Sequence, residues 1–391
     1  MSVPKLRFPE FRDAGEWEEK KLGEIASPVS EKSKGKDKEI ALTLSAEYGI
    51  VSQGDYFGKR IAGENVDRYI KISLNDFVYN DRITKSSTYG TIKRLSQYTS
   101  GLVSPIYKCF RFKDSENPVF WEWYFESGNH EIPLQQLVNE GARAGRFNIS
   151  IQKFLSIAVY SPESSEQQKI ADCLSSLDDR ITLETQKLDT LKAHKKGLMQ
   201  QLFPAEGETL PKLRFPEFSE KWREISLGGI SDSISSGKDK NDSDGKYDLY
   251  GSTGIIGKTL SDTYKGKFLL VARVGANAGF LTMTNGTFGV TDNTLVVCLK
   301  KIVNLDFIYY YLESLSLNKL VFGSGQPLIT GGQLKALHLF LPDYPEQQKI
   351  AGCLTSIDEA IAAQSQAIDL LKLHKKGLMQ QLFPSVEEVK R

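Results

Sequence analysis

EQQKIADCLSSLDDRITLETQKLDTLKAHKKGLMQQLFP at 166–204 and EQQKIAGCLTSIDEAIAAQSQAIDLLKLHKKGLMQQLFP at 346–384 are two copies of one segment. They are offset by 180 residues, and their last eleven residues are identical. Self-similarity over this length implies a duplicated architecture. Each copy carries a stripe at alternating steps of three and four. The first stripe includes Leu177, Ile181, Glu184, Leu188, Leu191, Lys195 and Leu198. The second includes Ile357, Ile361, Gln364, Ile368, Leu371, Lys375 and Leu378. A stripe this narrow is the seam of a helix that pairs with another helix. Pro204 and Pro384 stop the two helices. Pro345 suits the first turn of the second helix, and Ser164 or Ser165 can cap the first. Each helix should run about 55 Å at ~1.5 Å per residue.

A second phrase is also duplicated. PKLRFPEF occurs at 4–11 and 211–218, each time followed by a tryptophan (Trp17, Trp222) and a Leu-Gly-x-Ile phrase at 22–25 and 227–230. The chain therefore reads as globular segments at 1–162 and 213–343, long helices at 163–204 and 344–384, a polar linker at 205–212 and a tail at 385–391. The middles of the halves, 12–160 and 219–341, share no long identity and differ in length. Both hold short β-branched and aromatic runs, such as FLLVARV at 268–274, separated by Gly, Asn, Asp and Ser turns. Both also hold an aromatic helical segment, PVFWEWYFES at 118–127 and LDFIYYYLESL at 305–315. The expected fold is α+β: two mixed α/β globules, each with a strongly bent sheet, joined by two long antiparallel coiled-coil helices with a pseudo-twofold internal repeat. A constant scaffold with two divergent inserts suits two readers of different things held at a set separation.

Composition excludes several classes. The chain has 391 residues, 40% hydrophobic and 25% charged, which is ordinary for globular domains. No run of 18 apolar residues exists, and MSVPKLRFPEF lacks an apolar signal core, so no membrane association and a cytoplasmic location are expected. Four cysteines form no CxxC pair, and the reading is reduced thiols with no metal site. No GxxxxGK[ST], HExxH or strand-to-helix GxGxxG is present, and the four histidines do not cluster. No catalytic constellation is expected.

Charge is informative in its placement, since the net value is only +1. Between Arg82 and Lys113 there are seven basic residues and no acid. Residues 141–153 and 263–291 are also acid-free. Lysine and arginine neutralise phosphates, while Arg, Asn, Gln and Ser reach base edges. Candidate DNA contacts in the first half are Arg82, Lys85, Ser87, Tyr89, Lys93, Arg94, Arg143 and Arg146. In the second they are Lys258, Arg273, Asn277, Ser324 and Gln326.

The paired EQQKIA…LMQQLFP helices, the paired PKLRFPEF-Trp phrases and the GSGQPLIT loop at 323–330 resemble the specificity subunit of type I restriction–modification systems. The resemblance covers nearly the whole chain. It implies target recognition domains that each read one half of a bipartite, asymmetric site in double-stranded DNA. It implies a non-catalytic subunit whose helices space the domains and dock two methyltransferase (M) subunits. Those use S-adenosylmethionine, and motor–nuclease (R) subunits using ATP and Mg2+ can join them; this chain itself would bind no cofactor. In the first half GARAGRF at 141–147 replaces the GSGQP phrase, with Arg146 at the position of Gln326. The competing reading is a non-enzymatic coiled-coil adaptor whose globular halves bind protein or carbohydrate; an enzyme with an unrecognised site is weaker still.

Polar breaks in the seam suggest a register. If paired residue numbers sum to 559, Glu184 faces Lys375 and Lys195 faces Gln364, so no seam charge meets an apolar partner. That register predicts Leu188 opposite Leu371.

Overall fold

The computed structural model describes residues 3–33, 39–58, 66–83, 88–138, 148–320 and 327–384. The chain divides into two compact units, one formed by 1–183 with 368–391 and the other by 184–367. Each unit therefore contains part of both long helices.

The divergent halves share one topology. In the first unit an antiparallel sheet orders Ala26–Val29, Lys108–Phe112, Phe77–Asn80 and Thr91–Arg94. A second sheet orders Gly49–Ser52, Ala41–Ser45, Ser100–Val103 and Ile70–Ser73, with its middle pair parallel. The second unit repeats both orders. Ser231–Ser236, Thr294–Leu299, Phe268–Ala272 and Leu281–Thr284 form its first sheet. Gly254–Thr259, Tyr247–Gly251, Thr287–Val290 and Tyr264–Lys265 form its second, again with a parallel middle pair. Among the described residues each half thus has two four-stranded sheets where one bent sheet was expected. Phe268–Ala272 is covered along almost its whole length, as a central strand between packed faces should be. A two-stranded ribbon closes each half, Glu18–Lys21 with Ala158–Ser161 and Arg223–Ser226 with His338–Leu341.

The aromatic segments are helices, Pro118–Glu126 and Leu305–Leu315. Asn117 caps the first by accepting from the Val119 and Phe120 N–H groups, and Asn304 caps the second by accepting from Phe307 N–H. The repeated glutamines hold these caps: Gln167 Oε1 accepts from Asn117 N–H at 3.0 Å and Gln347 Oε1 from Asn304 N–H at 2.9 Å.

The long helices span Ser164–Leu202 and Tyr344–Leu382. Because the first starts at Ser164, its cap carbonyl is that of Glu163, which accepts from the Glu166 and Gln167 N–H groups. Asp343 does the same for Glu346 and Gln347. The duplicated phrases meet here. Arg7 of the first PKLRFPEF makes a bidentate pair with Glu166 at 2.7 and 2.6 Å. Arg214 of the second pairs with Glu346 at 2.7 and 2.8 Å. Both glutamates are about 1% exposed. Removing an arginine would leave a buried carboxylate without its cation, a loss of about 3–5 kcal/mol.

The helix ends cross over. Leu382 and Phe383, closing the second helix, lie in the first unit's core with Trp17, Phe120 and Tyr124. Met199, Leu202 and Phe203, closing the first helix, lie in the second unit's core. Phe203 stacks on Tyr311 at 4.9 Å. Ile170, Ala171 and Leu174 join the first core, and Ile350, Ala351 and Leu354 the second. Identical LMQQLFP ends follow from this: each is a plug for an equivalent aromatic socket.

The register differs from the sum of 559. Glu184 does not meet Lys375; Gln364 Nε2 donates to Glu184 Oε2 at 2.7 Å and to its carbonyl at 3.0 Å. Lys195 reaches Asp358 rather than Gln364, and Lys375 reaches Asp178. Repeat-equivalent residues 184 and 364 therefore meet. The expectation failed because it matched charges only within the stripe. Lysine stems are long enough to reach carboxylates beside it. The stripe positions are nonetheless the covered ones: Ile181, Leu188, Gln364 and Ile368 are buried, and Leu177, Leu191, Leu198, Ile357, Ile361, Leu371 and Leu378 half-buried.

Candidate nucleic-acid interface

An acid-free run in sequence is not an acid-free surface. Strand Thr91–Arg94 lies at the edge of its sheet, beside the aromatic helix. Lys93 pairs there with Glu126. Arg94 donates to Glu122 at 2.8 and 2.6 Å and to Asn75 Oδ1 at 2.8 Å. Lys108 pairs with buried Asp81, and Arg111 with buried Asp76. Lys93 and Arg94, named as candidate DNA contacts, tie the aromatic helix to the sheet through these pairs. Desolvation by burial raises the Glu122 carboxyl above its usual range, and Arg94 beside it works in the opposite direction.

Arg82 is different. It is exposed, follows the anchored Asp81, and has no ion-pair partner among the described residues. Tyr89 is half-buried, with its carbonyl accepting from Tyr79 OH at 2.9 Å. Gly90 closes this loop at φ +85°, where a Cβ would sit 2.4 Å from the Asn80 carbonyl oxygen. Only glycine fits there. Lys85, Ser87, Arg143 and Arg146 lie outside the described residues.

In the second unit several loops converge. Arg273 follows strand Phe268–Ala272, as Asp81 follows Phe77–Asn80. Its N–H donates to the Asn293 carbonyl at 2.9 Å, its Nη1 to the Asp292 carbonyl at 3.4 Å, and its carbonyl accepts from Ile329 N–H at 2.9 Å. Ser252 Oγ donates to the same Asn293 carbonyl at 2.9 Å. Gly275 N–H donates to the Pro327 carbonyl at 3.0 Å, and Gly237 N–H to the Thr294 carbonyl at 3.1 Å. A Cβ on Gly237 would lie 2.0 Å from the Val290 carbonyl oxygen, so this close approach also requires glycine. Asn277 is exposed at the rim. Lys258 pairs with Asp248 at 2.8 Å. Ser324 and Gln326 lie outside the described residues, immediately before Pro327.

Two residues missed in the sequence stand at this convergence. Asp292 and Asn293 are exposed at the turn between strands Thr287–Val290 and Thr294–Leu299. The signal was available as Thr-Asp-Asn-Thr between two strand-like runs, but polar turns are common and nothing local marks this one. An asparagine on a backbone pinned from two sides presents an exposed side-chain donor and acceptor at a set place, and these are the groups that read base edges. Among the described residues, no group of His, Cys, Asp and Glu could hold a metal ion, and no helix is long and apolar enough to cross a membrane.

Comparison with known proteins agrees with this geometry. The sequence model of the family described as "Type I restriction modification DNA specificity domain" matches residues 14–193 and 219–373. The type I restriction enzyme EcoprrI specificity subunit of Escherichia coli is 32% identical over 112 residues, 29% of this chain and 28% of that protein. The type I restriction enzyme MjaVIII specificity subunit of Methanocaldococcus jannaschii is 26% identical over 274 residues, 61% of this chain and 64% of that protein. These matches span less than two thirds of either relative. The fold is similar to the crystal structure of a type I restriction–modification S subunit from M. genitalium, with a TM-score of 0.60 at 14% identity, covering 98% of this chain and all of the other. It is also similar to a chain from a structure on assembly and conformational transition of the type I R-M system, with a TM-score of 0.58 at 17% identity, covering 94% of this chain and 98% of the other.

Proposed function

This chain belongs to the type I restriction–modification DNA specificity family, and from that premise we propose that it is the sequence-specificity subunit of such a complex. Each globular domain reads one half of a bipartite, asymmetric site in double-stranded DNA, and the paired helices set the separation. One observation carries this reading: two domains of the same strand order present different polar loops, one around Arg82 and the other around Arg273 and Asn293. A shared frame with unlike reading loops suits two unlike half-sites. The subunit performs no chemistry. Two adenine methyltransferase subunits use S-adenosylmethionine on the bound site, and motor–nuclease subunits using ATP and Mg2+ join for restriction. The subunit acts in the cytoplasm. Sequencing modified bases in a host expressing this chain with its methyltransferase tests the proposal. One bipartite motif methylated only when this chain is present is expected. Methylation independent of the chain would overturn it.

A further inference from the structure

A lysine near the end of each long helix touches two other elements at once. In the first unit, Lys375 of the second long helix donates to Asp178 of the first. Its ammonium stands 4.2 Å from the centroid of the Trp123 ring on the aromatic helix. Trp123 Nε1 donates to Ser175 Oγ at 3.3 Å, one turn before Asp178. In the second unit, Lys195 lies 2.9 Å from the Asp358 carboxylate, 3.3 Å from Glu313 and 5.1 Å from the Tyr310 ring centroid. Tyr310 OH donates to Asp358 at 2.8 Å and lies 3.3 Å from the Thr355 hydroxyl, within hydrogen-bond reach.

The two arrangements match part by part. Lys195 and Lys375, Asp178 and Asp358, and Ser175 and Thr355 are each 180 residues apart. Trp123 and Tyr310 both stand six residues after the asparagine that caps their helix. The lysine, aspartate and hydroxyl come with the duplicated helices, but the aromatic helices belong to the segments without long shared identity, so copied sequence does not account for the rings. One copy uses an indole and the other a phenol, yet each offers a ring face to the lysine and a polar edge to the opposite helix.

The physical consequence is directional. The apolar plug at Leu382 and Phe383, in one core with Ile170, Ala171 and Leu174 of the other long helix, fixes the domain at one level along the helix pair. A cation held between a ring face and a carboxylate about two turns earlier supplies a second point. The lysines are 15% and 18% exposed, whereas Asp178 and Asp358 are 49% and 37% exposed. Losing the cation therefore leaves solvated carboxylates and an intact core.

Building on the DNA-reading function above, we propose that Lys195 and Lys375 are positioning residues. Each sets the orientation of one recognition domain on the helix pair, so that half-sites are accepted at one spacing. The test presents a pool of randomised duplexes to the full chain, purified from its host with the subunits it carries, and sequences the bound fraction. Wild type should enrich one motif with one spacer length. Lys195→Met with Lys375→Met should keep the same half-site bases, while the preference for the native spacer over spacers one base pair longer or shorter falls about tenfold. Lys195→Arg with Lys375→Arg should behave as wild type, since guanidinium also stacks and pairs. Asp178→Asn with Asp358→Asn, isosteric and half-exposed, should loosen spacing as the methionines do. Unchanged spacing in both the methionine and the asparagine variants overturns the inference, as does a change in half-site bases. A wild-type chain that enriches no motif refutes the DNA-reading function instead.

Discussion

Lys93 and Arg82 lie eleven residues apart in the same acid-free run, yet only Arg82 faces solvent without an ion-pair partner among the described residues. Glu126, 33 residues further along the chain, has already taken Lys93. Arg82→Ala and Arg273→Ala should each weaken binding to all duplexes and reduce the salt slope by about one unit if the side chain meets a phosphate. Asn293→Ala should cost roughly 1–3 kcal/mol on the cognate site alone. Lys93→Ala should leave the slope unchanged; a slope change there would place Lys93 on DNA after all. His130 offers a separate measurement. It is buried, its Nδ1 has no hydrogen-bond partner among the described residues, and its ring stands edge-on to Phe125 at 5.4 Å. Burial pushes its imidazole down to about 4. An unfolded histidine takes up a proton near pH 6.5, whereas the folded one does not until about 4. The neutral ring's contribution is therefore whole above pH 6.5 and is lost as pH falls toward about 4, by up to ~3 kcal/mol. His130→Leu should flatten that acid limb in urea titrations across pH. An unaltered limb would assign the loss to other groups.

The long helices show what periodicity can and cannot decide. Steps of three and four identify the covered stripe from one helix alone, because side chains on one face follow from helix geometry. Register depends on the partner and on everything else near it. Here the pairing is centred where Glu184 meets Gln364, and the seam lysines turn aside to Asp178 and Asp358. With the free cysteines Cys109, Cys173, Cys298 and Cys353 changed to serine, cysteines at 184 and 364 should crosslink under mild oxidation. Cysteines at 188 and 371 should not. Crosslinking of the second pair alone would restore the register summing to 559.

At the scale of the whole chain, two units of the same topology invite exchange of one reader. Replacing 219–341 with the corresponding segment of a relative should change one half of the methylated site and leave the other. The graft must preserve the socket for Phe203, whose ring packs on Phe307 and Tyr311 inside the replaced segment. If both halves of the site changed, the domains would not read independently. Duplication, the long helices, the aromatic helices and the family were all readable from the chain, because repeats and periodicity are written in neighbouring residues. Which cations stay free, which loops converge on Asn293, and where each LMQQLFP end docks were decided only by the tertiary structure. Each depends on groups far apart in sequence: Arg94 on Glu122, Arg7 on Glu166, Phe383 on Trp17. A carboxylate neutralises whichever cation the fold brings within reach, and no local pattern records that distance.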